Sequence, residues 1–163
     1  MNWTKSSAIA EIVSSIAILV TLAYLAVQTA QNTDAIETQA RQSLFESAQF
    51  EQSIWLQNPD LTILIMNSSI EMSVEDKVKL DALMLLALSK REFAFRQYKA
   101  GLLDEVTWNQ EADLILLLLG SERTRSWWEV IGHHGFDSDF VDAAESIIDN
   151  QPLHPYWEGL RNW

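Results

Sequence analysis

Eight residues near the start of the chain, Ser7, Glu11, Ser14, Ile18, Thr21, Leu25, Gln28 and Asn32, recur at alternating intervals of four and three. Those intervals set them on one stripe of an α-helix, and six of the eight are polar. Off the stripe, between Ala8 and Val27, only Ser15 and Tyr24 carry polar groups, and every other residue is Ala, Ile, Leu or Val. A carboxylate, hydroxyls and amides aligned on an apolar cylinder can hydrogen-bond a neighbouring helix, or line a path for water and ions. In the second arrangement Ser7, Glu11, Ser14, Thr21, Gln28 and Asn32 are pore-lining, with Glu11 a charged ring at one mouth. Ile18 and Leu25 then form hydrophobic constrictions that gate by dewetting.

The element that positions these groups reads as a membrane helix. Ala8 to Ala30 makes about 34 Å of helix, enough for a hydrocarbon layer of roughly 30 Å. Trp3 and Tyr24 suit the interfaces. Lys5 followed by an apolar run also fits a signal peptide. No small-x-small pair closes that run, since Tyr24 stands two before Ala26 and Gln28 two before Ala30, so a retained anchor is expected. Lipid cannot satisfy a polar stripe. Further copies of the chain, or the helix of another membrane protein, are therefore expected beside it.

Neither Pro nor Gly occurs between Ser6 and Gln57, so the helix is expected to continue as one rod to Asn58-Pro59-Asp60. Along residues 34–57 the stripe continues through Ala35, Gln39, Gln42, Glu46, Gln49 and Ser53. Glu46 is the acid there that would face a vestibule. Ile36, Ala40, Leu44 and Ala48 form an apolar edge expected to pack on the domain that follows.

That domain reads as all helical. Asp60 is expected to cap a short helix over "LTILIM", and Ser73-Val-Glu-Asp76 is a capping box with Asp in its third place. The helix it opens should end at Gly101, with "ALMLLAL" (82–88), apolar on every side, marking the centre of a bundle. Asp104 caps a helix running through "LILLLL" to Gly120. "SERTRSWWEVI" and "DSDFVDAAESII" read as two more, the last capped by Asp137 or Ser138. The tail "QPLHPYWEGLRNW" should pack back through its aromatics. The fold class is thus all-α: a single N-terminal transmembrane helix over 1–33 continuing as a long helix over 34–57, an acidic helical bundle over 58–150 and an aromatic-rich tail over 151–163.

Composition narrows the function. The chain has 163 residues and a net charge of -12, and Lys5 and Glu11 cancel within the first thirty-three residues, so the acidity lies beyond the anchor. Such a body repels phosphate backbones and argues against nucleic acid as a partner. With no cysteine, thiolate metal sites and cysteine nucleophiles are excluded. His133 and His134 are adjacent, with Asp137, Asp139 and His154 near in sequence. Adjacent helical residues point about 100° apart, so this pair is not a same-face metal site, and neither metal nor cofactor is expected. Trp127, Trp128, Phe93, Phe95 and Tyr98 are expected to pack at helix junctions. No nucleophile–base pair or Gly-rich phosphate loop points to an enzyme.

"AEIVSSIAILVTLAYLAVQ" followed by "QNT", "NPDL", "FAFRQYKAGLLDEVTW", "RSWWE" and "DFV" resembles, over nearly the whole chain, a family of uncharacterised bacterial proteins with one N-terminal membrane helix and a C-terminal helical domain. Where members carry basic residues after the membrane helix, Thr29 and Ala30 stand here. The resemblance implies a bacterial inner-membrane location with the domain on the cytoplasmic side, and carries no activity. The function expected is a membrane protein that forms a homo-oligomer through its first helix, as an ion-conducting or ion-sensing pore or as a tethered scaffold that conducts nothing.

Overall fold

The computed structural model describes residues 3–149 and 151–162, and within them all side chains except those of 3–6, 8, 158 and 161. The anchoring expected of the Trp3 side chain lies outside the described residues. Among those described there are seven α-helices and no strand: α1 Trp3–Gln57, α2 Pro59–Met66, α3 Val74–Lys99, α4 Glu105–Leu118, α5 Glu122–Val130, α6 Ser138–Ile148 and α7 Pro155–Asn162. A 3₁₀ turn, Gly132–Gly135, joins α5 to α6. The chain divides into two compact units, Met1–Gln39 and Ala40–Trp163.

The first unit is the part of α1 up to Gln39, and the rest of α1 belongs to the second. Its apolar side chains from Ile9 to Val27 are between 49% and 65% exposed, and none of its most apolar 18-residue window is buried. By length and composition it is the one helix among the described residues able to cross a membrane.

In the second unit, helix ends follow local chemistry. The Ser73 hydroxyl accepts from Asp76 N at 3.1 Å, while the Asp76 carboxylate accepts from Ser73 N at 3.1 Å and from its hydroxyl at 2.7 Å, which completes the capping box of α3. At the other end of α3, Gly101 adopts φ +74°, a conformation glycine takes without a Cβ clash. Asp104 accepts from Thr107 N at 2.7 Å, Ser121 and Thr124 form a second capping box on α5, and Asp137 accepts from Asp139 N to cap α6. Asp60 does not cap α2. Pro59 already occupies its first turn, and the Asn58 side chain instead donates back to Ile54 O at 2.8 Å.

α3 packs on α2 and α4, α4 on α6, and α2 on α7. Met84, Ala87 and Leu88 of α3 meet Ile115 of α4, Leu119 just past its end and Phe140 of α6 in the core. Phe95 lies 5.2 Å from Trp108 and 6.0 Å from Phe140, and Tyr98 stacks on Trp108 at 5.9 Å. A smaller cluster joins Ala40 and Leu44 of α1 to Ala94 and Leu103. Of the apolar residues expected to pack, Ile36, Leu86 and Phe93 are exposed; in α3 the run 82–88, apolar on every side, still presents Leu86 to water because its neighbours cover only the other sides. The tail forms α7, a helix the prolines had hidden. Trp157 is buried, donating Nε1–H to Leu117 O at 2.8 Å, and His154 N donates to Gly120 O at 2.8 Å. Gly120 must lack a Cβ because His154 fills that space.

Hydrogen bonds from the Ser73 hydroxyl and backbone hold the Asp76 carboxyl below its ordinary pKa, and those from Thr107, followed by Arg41, do the same for Asp104. A depressed carboxyl pKa stabilises the fold above the unfolded value of 3.8 and loses that contribution as pH falls through the folded value. The double variant Asp76→Ala, Asp104→Ala should therefore melt lower than wild type at neutral pH, with the difference shrinking below about pH 3. A difference in melting temperature constant from neutral to acid would contradict this assignment.

Candidate functional site

α1 displays the polar stripe without interruption. Ser7, Glu11, Ser14, Thr21, Gln28 and Asn32 are all exposed, with Ile18 and Leu25 between them. The 55-residue helix keeps the intervals in register, so the spacing read in the sequence is a stripe in three dimensions. Not every polar group needs an external partner, however. Thr21 Oγ1 donates to Ala17 O at 2.8 Å, and Ser15 Oγ to Glu11 O at 2.9 Å. Thr29 and Thr33 bond back one turn in the same way. Back-bonding of this kind satisfies a hydroxyl inside its own helix. It leaves the Ser14 hydroxyl, the Glu11 carboxylate and the Gln28 and Asn32 amides, which form no hydrogen bond among the described residues, as groups for which hydrocarbon offers nothing.

In the second unit Glu46 accepts from Gln42 Nε2 at 2.9 Å, and Gln42, Glu46 and Gln49 are exposed while Ser53 is half-buried. This is a solvated helix surface. The acid that the fold buries is one turn and a residue further on. Glu51, 8% exposed, forms an ion pair with Arg91 and lies 3.9 Å from Lys90 Nζ. Glu111 of α4 closes the group, 3.1 Å from Lys90 Nζ and 3.4 Å from Arg91 Nε. Arg91 also donates Nη1–H to Ala87 O at 2.8 Å. Two cations on adjacent positions of α3 thus meet one carboxylate from α1 and one from α4. Buried charge is tolerated only when paired in this way.

The quartet was missed in sequence because Glu46 and Glu51 look alike on α1. The signal lay in α3: Lys90-Arg91 interrupts the apolar run between "ALMLLAL" and "FAF", where a basic pair must find acids or reach water. The histidines form no metal group. His133 Nδ1 lies 2.9 Å from Trp128 O, and the His133 and His134 ring centroids lie 3.9 Å apart with the planes tilted by 40°. Among the described residues no three His, Asp or Glu side chains converge on a metal position. Trp127 and Trp128 are buried as packing residues, with Trp127 Nε1 donating to Asp81 at 2.9 Å.

The chain matches no protein-family model, no curated protein and no solved structure. The functional reading therefore rests on its own side chains.

Removing one member of a buried ion cluster leaves an uncompensated charge. Glu51→Gln should destabilise the helical unit by roughly 3–5 kcal/mol, and Glu51→Leu combined with Arg91→Met by clearly less than the sum of the single changes. Urea unfolding followed by tryptophan fluorescence measures both. A Glu51→Gln loss under about 1 kcal/mol would show that water already screens the pair.

Proposed function

We propose that the chain is a single-pass membrane protein that assembles with copies of itself through α1, the polar stripe turned inward, and that it presents the acidic helical unit at the bilayer surface. The observation that carries this reading is the pairing of two facts on one helix. The apolar positions of α1 are uncovered over a membrane's thickness, and the polar ones fall on a single stripe. The apolar side supports a lipid environment. The stripe, with Glu11, Gln28 and Asn32 lacking acceptors or donors inside the helix, supports a protein neighbour or water on that face. A second copy is the simplest neighbour, since it brings a matching stripe. The location that fits is a bacterial inner membrane with the helical unit in the cytoplasm, and the chain fits that membrane-helix family by the landmarks of its sequence.

Glu11 favours a second reading of the same assembly, a cation path along the stripe. A packed contact is served by small hydroxyls, whereas a carboxylate repeated in every subunit repels itself unless water or cations enter between the copies. Ile18 and Leu25 are then the dry, narrow points of that path.

Ile18→Ser with Leu25→Ser separates the readings. In a packed oligomer these residues are core knobs, and the change should shift the detergent-solubilised protein towards monomer in sedimentation. In a wet path it should leave the assembly intact and raise ion leak through reconstituted vesicles. Protein that is monomeric before and after the change would defeat self-assembly through α1.

Glu11→Gln isolates the carboxylate. The assembly should persist, and any cation-over-anion preference recorded in planar bilayers should disappear. Equal selectivity in wild type and variant would remove Glu11 from the path, and silent bilayers for a correctly assembled wild type would leave a scaffold that conducts nothing.

A further inference from the structure

α7 is tied to the second unit by one seated side chain and a few hydrogen bonds. Trp157 is buried in the core cluster with Ile65 of α2 and Leu118 of α4, and its Nε1–H donates to Leu117 O at 2.8 Å. His154 N donates to Gly120 O at 2.8 Å, and Arg125 Nη2–H to Pro152 O at 3.2 Å, which fixes the segment that leads into the helix.

The start of α7 depends on a single residue. Pro155 has no N–H, and the next two N–H groups both turn back to His154: Trp157 N donates to its backbone oxygen at 3.3 Å, and Tyr156 N to its ring Nδ1 at 3.2 Å. An imidazole thus stands at the N-cap, where Ser, Asp or Asn is the usual acceptor. The difference is chemical. A ring nitrogen accepts only while it is unprotonated, and in the imidazolium both nitrogens are donors. The bond therefore requires the neutral tautomer with its proton on Nε2. The ring is half-buried, so a proton from solvent can reach it. Around it, α2 presents Ile65 and Met66, and Gly120 lies just past the end of α4. The charged groups come from α5: Glu122, which accepts from Ser68 Oγ at 2.7 Å and lines the same small pocket as the ring, and Arg125, engaged with Pro152 O.

We propose that α7 is an acid-released strap: a proton taken up at His154 Nδ1 breaks the cap on Tyr156 N, places a cation at the positive end of the helix, and lets α7 leave the seat of Trp157 on Ile65, Leu117 and Leu118. Any other N-cap side chain with a fixed acceptor would hold the helix at every pH. The device is independent of what α1 does in a membrane.

Hydrogen exchange read by mass spectrometry on the full-length protein in nanodiscs tests it. Protection factors, which remove the intrinsic pH dependence of exchange, are compared for Pro155–Asn162 and for α3 at about pH 8 and about pH 5, on either side of the ordinary imidazole range. Protection of α7 should fall roughly tenfold in acid, the loss expected of an N-cap, while that of α3 changes by clearly less. His154→Asn supplies an acceptor that does not titrate, and should keep α7 equally protected at both pH values. His154→Phe keeps a ring without an acceptor, and should leave α7 weakly protected at both. Unchanged wild-type protection in acid, a fall of the same size in α3, the same fall in His154→Asn, or full protection in His154→Phe would each overturn the proposal.

Discussion

The apolar surface of α1 is the constraint from which the rest follows. Side chains from Ile9 to Val27 are uncovered, and water does not tolerate so continuous an apolar surface on a lone helix. A hydrocarbon layer removes that conflict and creates another, since it offers no hydrogen bonds to Glu11, Gln28 and Asn32. The back-bonded hydroxyls of Ser15 and Thr21 show how far a helix can satisfy its own polar groups. A carboxylate has no proton to donate back, and the amides of Gln28 and Asn32 make no such bond among the described residues, so these residues are what makes α1 more than an anchor in the proposed assembly.

The second unit meets a related constraint with its own side chains. Arg91 is held in the interior by Glu51 and Ala87 O, and Lys90 by Glu111, so charge is matched pair by pair where water is scarce. The matching draws on α1, α3 and α4 together. Their relative placement is thereby specified by polar contacts as well as by the packing of Met84, Leu88, Ile115 and Phe140. The matching is one of charge more than of hydrogen bonds, since Arg91 Nε and Glu111 Oε2 lie 3.4 Å apart without forming one.

Features decided by neighbours in the chain could be read from the sequence. The Ser73–Asp76 capping box, the Asp104 and Asp137 caps, the left-handed Gly101 and the end of α1 before Pro59 all depend on residues a few positions apart. The stripe on α1 belongs to the same class, because helical spacing alone defines it. Features decided by distant residues could not. Nothing local distinguishes the buried Glu51 from the exposed Glu46, since the difference is made by Lys90 and Arg91 some forty positions away. Nor does periodicity show that Leu86 and Phe93 stay exposed within an apolar helix, or that a tail broken by two prolines coils into α7 and seats Trp157 in the core. A capping preference was misplaced at Asp60 because Pro59 can itself open a helix.

The central claim is that α1 crosses a bilayer. The chain contains no cysteine, so a single introduced thiol is uniquely addressable. Ser7→Cys and Asp34→Cys place that thiol beyond either end of the apolar run, on exposed positions. Each variant, reconstituted in sealed vesicles of one orientation, is treated with a membrane-impermeant maleimide before and after the vesicles are opened. A spanning α1 predicts that one position is labelled in sealed vesicles and the other only after opening. Labelling of both positions from the same side would contradict it, and would leave α1 lying on the membrane or away from it.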